Sequence, residues 1–438
     1  MEALTEKLTN LLLPISNALN NNKHLTAVKN AMMFTIPFMI VGGIFCLLAQ
    51  PPVPSTLEPT NFFYSFLLSW KAWATANGGV LLPVFNLTIN FIAVYVAFGV
   101  AYELAKDYAI DKLAAGFCSL FIFFLTSAAP FTDKTLGTII SCGNLGGVGM
   151  FYAIIVAFVV CEIYRFCKVK NFKIKLPEQV PPNVSAPFEA LIPFTISTLL
   201  FLVLNIISLN VMDSNLCKLI YAIIQPLLSA SGSLPSVIMI SILLSLFWFM
   251  GIHGNNLVGS VLTPITTANL AINAQFIMTG QGSPTPLAGA FMTIFGNWMS
   301  YPAMMLVFFL VAKSAQLKSL RKLALVPDLF NINEPLTFGV PIVMNVLLAL
   351  PIMICNVIMC TAAYLLMDSG IVGSIYISLP FTCPGILNLF LSTGDVKTIF
   401  MWLIMFAVDV VILFPFVKMY DKQLLKEENA SIDEEKRG

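Results

Sequence analysis

Nine stretches of 17 to 26 residues in this chain are almost free of charge: Ala31–Ala49, Val84–Tyr102, Leu113–Ala129, Gly146–Tyr164, Ala190–Leu209, Pro235–Gly251, Leu287–Ala312, Val343–Met367 and Ile399–Val417. Across all nine, Glu162 and Asp409 are the charged residues. A helix of about 20 apolar residues spans the hydrocarbon core of a bilayer, where backbone must satisfy its own hydrogen bonds. So many such stretches imply an all-α polytopic membrane protein. Composition agrees where it discriminates. Only 10% of the 438 residues are charged, against roughly 25% in soluble domains, too few to cover a water-facing surface. This makeup excludes a disordered chain, a nucleic-acid binder and a disulfide-stapled secreted domain.

Lys and Arg gather in cytoplasmic loops, so their placement tests the count of crossings. They cluster over Arg165–Lys175, over Lys313–Lys322 and after Lys418, while the loops expected around Lys71, Lys134, Lys218 and Lys397 hold one each. Residues 1–30 lack the core and cleavage site of a signal peptide and read as a cytoplasmic, amphipathic lead-in. With that start, four spans bring the Arg165 cluster inside. The Leu287 span must deliver Lys313 inside as well, which requires one more crossing after Gly251. Leu257–Thr279, rich in Thr and Asn, supplies it as a protein-buried span. The expectation is about 10 transmembrane helices with both termini cytoplasmic. Residues 421–438 are expected to form a charged, solvated and frayed tail.

Leu323–Ile342 and Gly370–Ser392 remain unused, and both are broken by Pro and Gly. Irregular backbone at membrane depth survives when buried in protein or lining a cavity. Both read as re-entrant hairpins, and a pair of interrupted segments points to a transporter's binding site. The nine cysteines form no CxxC pair, no Walker sequence is present, and no cofactor or metal is expected.

Ionisable groups inside apolar segments are functional candidates, since leaving them there costs several kcal/mol. His253, between Gly251 and Gly254 and five residues after Trp248, suits a sugar hydroxyl because imidazole both donates and accepts. The other reading is a histidine bonded to backbone. Glu334 lies beside Asn331 and Asn333 at the start of a proline turn, as a ligand to substrate or as a carboxylate satisfying broken backbone. Asp409, mid-span, is a proton-coupling acid or a structural partner; Glu189 reaches the headgroups. Trp248 and Phe381 sit on polar, broken elements where an aromatic face suits a sugar ring.

The segments FWFMGIHG (247–254) and FNINEPLTFGVPIVMN (330–345), supported by PPNVSAPFEALIP (181–193) and GMFYAIIVAFVVCEIY (149–164), resemble the sugar-translocating EIIC subunits of the bacterial phosphotransferase system, in the lactose, cellobiose and diacetylchitobiose branch. The resemblance covers essentially the whole chain. It implies a homodimer in the bacterial cytoplasmic membrane. Residues 31–215 would be scaffold and dimer interface, and 216–420 a sugar-carrying domain with hairpins near 323–342 and 370–392. It further implies inward movement of a β-linked disaccharide, phosphorylated at its 6-hydroxyl by a separate phospho-EIIB that EIIA charges. The phosphoryl-carrying residue is then on another chain. Glu334 would contact the reacting hydroxyl, with His253, Asn333, Asn331, Trp248 and Phe381 around the sugar. Phe381 stands where a tryptophan is common, losing an indole donor, and Val346 stands where a proline is common. Arg321 and Lys322 read either as a docking point for EIIB or as ordinary anchoring. The rival is a proton- or sodium-coupled symporter using Asp409 or Glu334. A membrane hydrolase needs paired acids, and Asp133 and Asp368 stand alone.

Overall fold

The computed structural model describes residues 21–49, 51, 58–59, 62–174, 182–250, 254–340, 342, 345–380 and 382–435, with Glu334 and some other helical residues described by backbone alone. In chain order the helices are α1 (Lys23–Ala49), α2 (Phe62–Thr88), α3 (Ile92–Asp107), α4 (Lys112–Ser127), α5 (Met150–Val169), α6 (Pro182–Glu189), α7 (Leu191–Met212), α8 (Leu216–Ser231), α9 (Leu234–Phe249), α10 (Gly254–Met278), α11 (Ser300–Val311), α12 (Ala315–Leu329), α13 (Glu334–Gly339), α14 (Val346–Asp368), α15 (Gly385–Thr393) and α16 (Lys397–Glu435). A small antiparallel hairpin, β1 (Phe131–Asp133) with β2 (Gly137–Ile139), pairs Phe131 with Ile139.

Among the described residues, seven helical segments are long and apolar enough to cross a bilayer, and Lys112–Ser127, Leu216–Pro226 and Leu234–Phe249 are shorter apolar helices. This is an all-α, multi-pass membrane protein. Several local expectations change. Lys71 lies inside α2 and Lys218 in the first turn of α8, where loops were expected. A lysine stem packs along apolar surface while its head reaches water, so one such residue does not end a helix. The tail differs most. α16 runs to Glu435, and Tyr420, Asp421 and Leu424 are buried, so this charged segment is folded rather than frayed.

The chain separates into two compact units. One comprises Asn17–Ala230 with Ser260–Gln281. Its core pairs small residues on α3 (Ala93, Ala97, Ala101, Ala105) with Ala115 and Gly116 of α4 and Ala153 and Ala157 of α5. Small side chains let membrane helices approach closely. At Gly116 an added Cβ would stand 2.7 Å from the Phe98 ring. Two buried hydroxyls tie helices together: Ser119 donates to the Ala97 carbonyl at 2.7 Å, and Thr126 meets the Tyr152 hydroxyl at 2.6 Å. In contrast, α7 exposes Leu199, Val203, Ile207 and Val211, as a lipid-facing helix does.

The other unit comprises the described residues of Ser231–Gly259 and Gly282–Gly438. Ser300 of α11 donates to Asn356 of α14 at 2.7 Å, and the Asn356 amide donates to Ser245 of α9 at 3.1 Å, joining three helices through one buried network. Helix α12 is amphipathic. Leu317, Leu320, Ala324 and Asp328 form its buried stripe. The three apolar members share a core with Phe308 of α11, Leu336 of α13, and Leu413, Val417, Tyr420 and Leu424 of α16. Burying each such leucine is worth about 1.5–3 kcal/mol relative to water.

The amino end of α12 is finished from a distance. Ser314 precedes the helix but its side chain makes no cap. Its hydroxyl instead donates to Asp421 of α16 at 2.7 Å. Asp421 also accepts from the backbone N–H of Lys313 and Ser314, at 3.0 and 2.9 Å. One helical stretch further on, Glu428 accepts from Ala315 at 2.9 Å and Gln316 at 3.3 Å. The unpaired donors at a helix start need acceptors, and a negative charge there is favourable.

Candidate functional site

Residues 327–339 carry the acidic motif, and their backbone explains the choice of residues. The Ile332 N–H donates to the Pro327 carbonyl at 3.0 Å and the Asn331 N–H to the Asp328 carbonyl at 2.9 Å. Asn331 sits at φ 60°, in the left-handed region. This is the paired closure that ends many helices, with Asn in the place usually held by Gly. The chain then turns sharply, and Asn333 starts α13. Its carbonyl accepts from Leu336 at 3.0 Å and Thr337 at 2.9 Å, while Thr337 also donates to the Tyr301 hydroxyl at 3.1 Å.

The side chain of Asn331 is committed to the second broken segment. It donates to the Cys383 carbonyl at 2.6 Å. That segment is an irregular arm over 373–380, whose Tyr376 N–H donates to the Ser392 carbonyl at 2.9 Å, followed by a turn and α15. Gly373 donates to Asp395 at 2.9 Å, which closes the base of the arm. The two Pro- and Gly-interrupted stretches are therefore physically joined. Asn331 supplies both the turn and the link.

Three side-chain oxygens around these segments lack a donor among the described residues: Oδ1 of Asp328, of Asn333 and of Asn388. All three residues are buried, Asp328 at 2% and Asn388 at 1% exposure. Asn388 lies in the first turn of α15, its amide 3.5 Å from the Pro380 carbonyl. Leaving a buried acceptor unmatched costs about 1–3 kcal/mol, so such groups call for a ligand. Neither Asp328 nor Asn388 was singled out in the sequence. The available signals were an acid in the apolar run LVPDLF, and an amide in the apolar run GILNLF.

Trp248 is half-buried in the last turn of α9. The chain returns against that turn at Gly254, where an added Cβ would meet the Leu244 carbonyl at 2.9 Å and Trp248 at 3.2 Å. Glycine there permits the close approach expected around the histidine. His253 and Phe381 lie outside the described residues, as does the side chain of Glu334. Asp409 is fully buried in α16 beside the Cys355 thiol of α14. Glu189 pairs with Lys173 at 2.9 Å, outside this region. Asp133 is a turn residue, accepting from Thr135 and Leu136 at 2.8 and 3.0 Å. Among the described residues, no group of three His, Cys, Asp or Glu is placed to hold a metal ion.

The family model described as the phosphotransferase system EIIC matches residues 29–355. The chain belongs to this EIIC family. The oligo-beta-mannoside-specific EIIC component of Bacillus subtilis is 33% identical, with 98% of this chain and 97% of that protein covered. The cellobiose-specific EIIC component of Geobacillus stearothermophilus is 31% identical, over 98% and 97%. The lactose-specific EIICB component of Lacticaseibacillus casei is also 31% identical, but only 72% of that longer protein is covered. Among solved structures, ChbC, the IIC component of an N,N'-diacetylchitobiose-specific phosphotransferase system, superposes with a TM-score of 0.84 at 31% identity, covering 96% of this chain and 99% of that one. As an EIIC, the chain is a sugar-transport component of the cellobiose and lactose branch.

Proposed function

We propose that this EIIC moves a β-linked disaccharide of the cellobiose or diacetylchitobiose type inward, and presents its 6-hydroxyl to a separate phospho-EIIB charged by EIIA. The observation that carries the reading is the pair of joined, interrupted segments, with buried acceptors at Asn333 and Asn388 that meet no donor among the described residues. A sugar is a ring of hydroxyl donors around an apolar face, and it supplies what those oxygens lack. The names of the relatives and of the ChbC structure support the sugar class.

In this reading Glu334 accepts a hydrogen bond from the 6-hydroxyl. As the new oxygen–phosphorus bond forms and the sulfur–phosphorus bond of the donor cysteine breaks, Glu334 takes the hydroxyl proton. His253 and Asn333 hold the neighbouring hydroxyls, with Trp248 and Phe381 against the ring. Asn331 orients the turn through Cys383. Residues near 323–342 and 370–392 enter the membrane as re-entrant hairpins within ten spans, with both termini cytoplasmic, and residues 31–215 form the scaffold of a homodimer.

The test uses inside-out vesicles, labelled cellobiose and diacetylchitobiose, and a panel of purified phospho-EIIB proteins. Donor-dependent sugar 6-phosphate that persists after the proton and sodium gradients are collapsed is the expected result. Free sugar accumulating only with a gradient would replace this reading with a symporter.

A further inference from the structure

The buried polar side chains of the unit that carries the acidic motif form a line rather than a scatter. Ser245 of α9 accepts from the Asn356 amide of α14 at 3.1 Å, and the Asn356 oxygen accepts from Ser300 of α11 at 2.7 Å. Tyr301, the next residue of α11, continues the line, its hydroxyl meeting Thr337 of α13 at 3.1 Å. The Thr337 hydroxyl also reaches the Asn333 carbonyl at 3.0 Å. Ser300, Tyr301, Asn356, Thr337 and Asn333 are all buried. The line starts three residues before Trp248, on the same face of α9, and ends at the residue before Glu334.

Hydrogen bonds between helices are ordinary glue in a membrane protein. Glue accounts for Ser300, Asn356 and Ser245, which join helices of 12, 23 and 16 residues. It does not account for Tyr301. Helix α13 has six residues, about half the length at which a helix begins to hold itself. Its shape must come from outside. Gln316 of α12 holds its last residue, donating to the Gly339 carbonyl at 3.1 Å, and Leu336 lies in the core. Tyr301 grips its first turn, in which Thr337 follows Glu334 by three positions. Misplacing a reacting group by about 1 Å can cost about 10²-fold in rate, so a grip there bears on chemistry.

We infer that Tyr301 is a positioning residue. Through Thr337 it fixes the first turn of α13, and hence Glu334, and with Ser300, Asn356 and Ser245 it keeps that turn in register with Trp248. This deepens the proposed function, and rests on it for the role of Glu334.

The test is Tyr301→Phe, which removes the hydroxyl and keeps the ring. The other unit holds a control: Thr126 bonds the Ile122 carbonyl at 2.7 Å and the Tyr152 hydroxyl at 2.6 Å, the same arrangement away from the motif. Both Tyr301→Phe and Tyr152→Phe are expected to lower the thermal midpoint. With whichever phospho-EIIB supports the unmodified chain, only Tyr301→Phe is expected to lower kcat for sugar phosphate formation, by about tenfold. Its sugar affinity by calorimetry should fall less, by about threefold or under. Thr337→Val should match it, Thr337→Ser should restore most of the rate, and Tyr301→Phe combined with Thr337→Val should lose no more than either alone. Amide exchange over 333–339 should rise in Tyr301→Phe and stay unchanged in Tyr152→Phe. An unchanged kcat, an equal loss in Tyr152→Phe, or additive losses in the double variant overturn the inference. If no phospho-EIIB supports phosphorylation by the unmodified chain, the proposed function fails instead. Exchange over 333–339 then decides by itself, and an unchanged rate in Tyr301→Phe overturns the grip.

Discussion

At the amino end of α12, four backbone N–H groups and the Ser314 hydroxyl all find carboxylate acceptors on α16. At its carboxyl end the backbone closes neatly, but side-chain oxygens of Asp328 and Asn333 have no donor among the described residues. One helix thus has a completed end and an incomplete end about 20 Å apart. The completed end invests in stability. The incomplete end holds acceptors at a cost of about 1–3 kcal/mol each, which under the proposed function a sugar's hydroxyls offset. The Asn356 network, with both amide ends matched, resembles the first kind.

The comparison breaks most severely at the motif itself. Glu334→Gln is expected to cut sugar phosphorylation by about 10²–10⁴-fold, the usual range for removing a general base, with a smaller loss of sugar binding. Equal losses in a turnover assay and a binding titration would leave Glu334 a ligand only. At the completed end, Asp421→Ala strands several donors at once and is expected to remove about 2–4 kcal/mol of stability, read as a lowered thermal midpoint in detergent. Asp421→Asn, which keeps one carbonyl acceptor, should recover part of it.

Smallest is Asn388→Ala. Apo stability should hold or rise slightly, because an unmatched acceptor is removed, while sugar affinity falls by about 3–10-fold, worth one neutral hydrogen bond. A loss of stability with unchanged affinity would make Asn388 structural.

Much of this was legible in the sequence because bilayer physics is one-dimensional: an uncharged run of about 20 residues means the same thing wherever it occurs. The interrupted segments were visible for the same reason. What escaped was whatever depended on distant partners. Asp421 and Glu428 look like a solvated tail until Ser314, 107 positions earlier, is seen beside Asp421. Residues 323–329 read as an apolar run because of Leu323, Leu325 and Val326, and the inward turn of Ala324 and Asp328 on α12 depends on partners elsewhere in the chain. Asn331 read as a sugar contact, and no local pattern announces its left-handed backbone or its bond to the Cys383 carbonyl. Asn388 escaped because one amide in an apolar run reads as packing.

The remote cap also imposes an order on biosynthesis. Ser314 leaves the ribosome 107 residues before Asp421. At synthesis rates of about 5–20 residues per second, α12 waits roughly 5–20 s for the acceptors that finish it. Throughout that interval the motif exists without its brace, and its supporting helix begins with open donors. The amino end of α12 is thus completed late, and only in chains whose synthesis has passed Glu428.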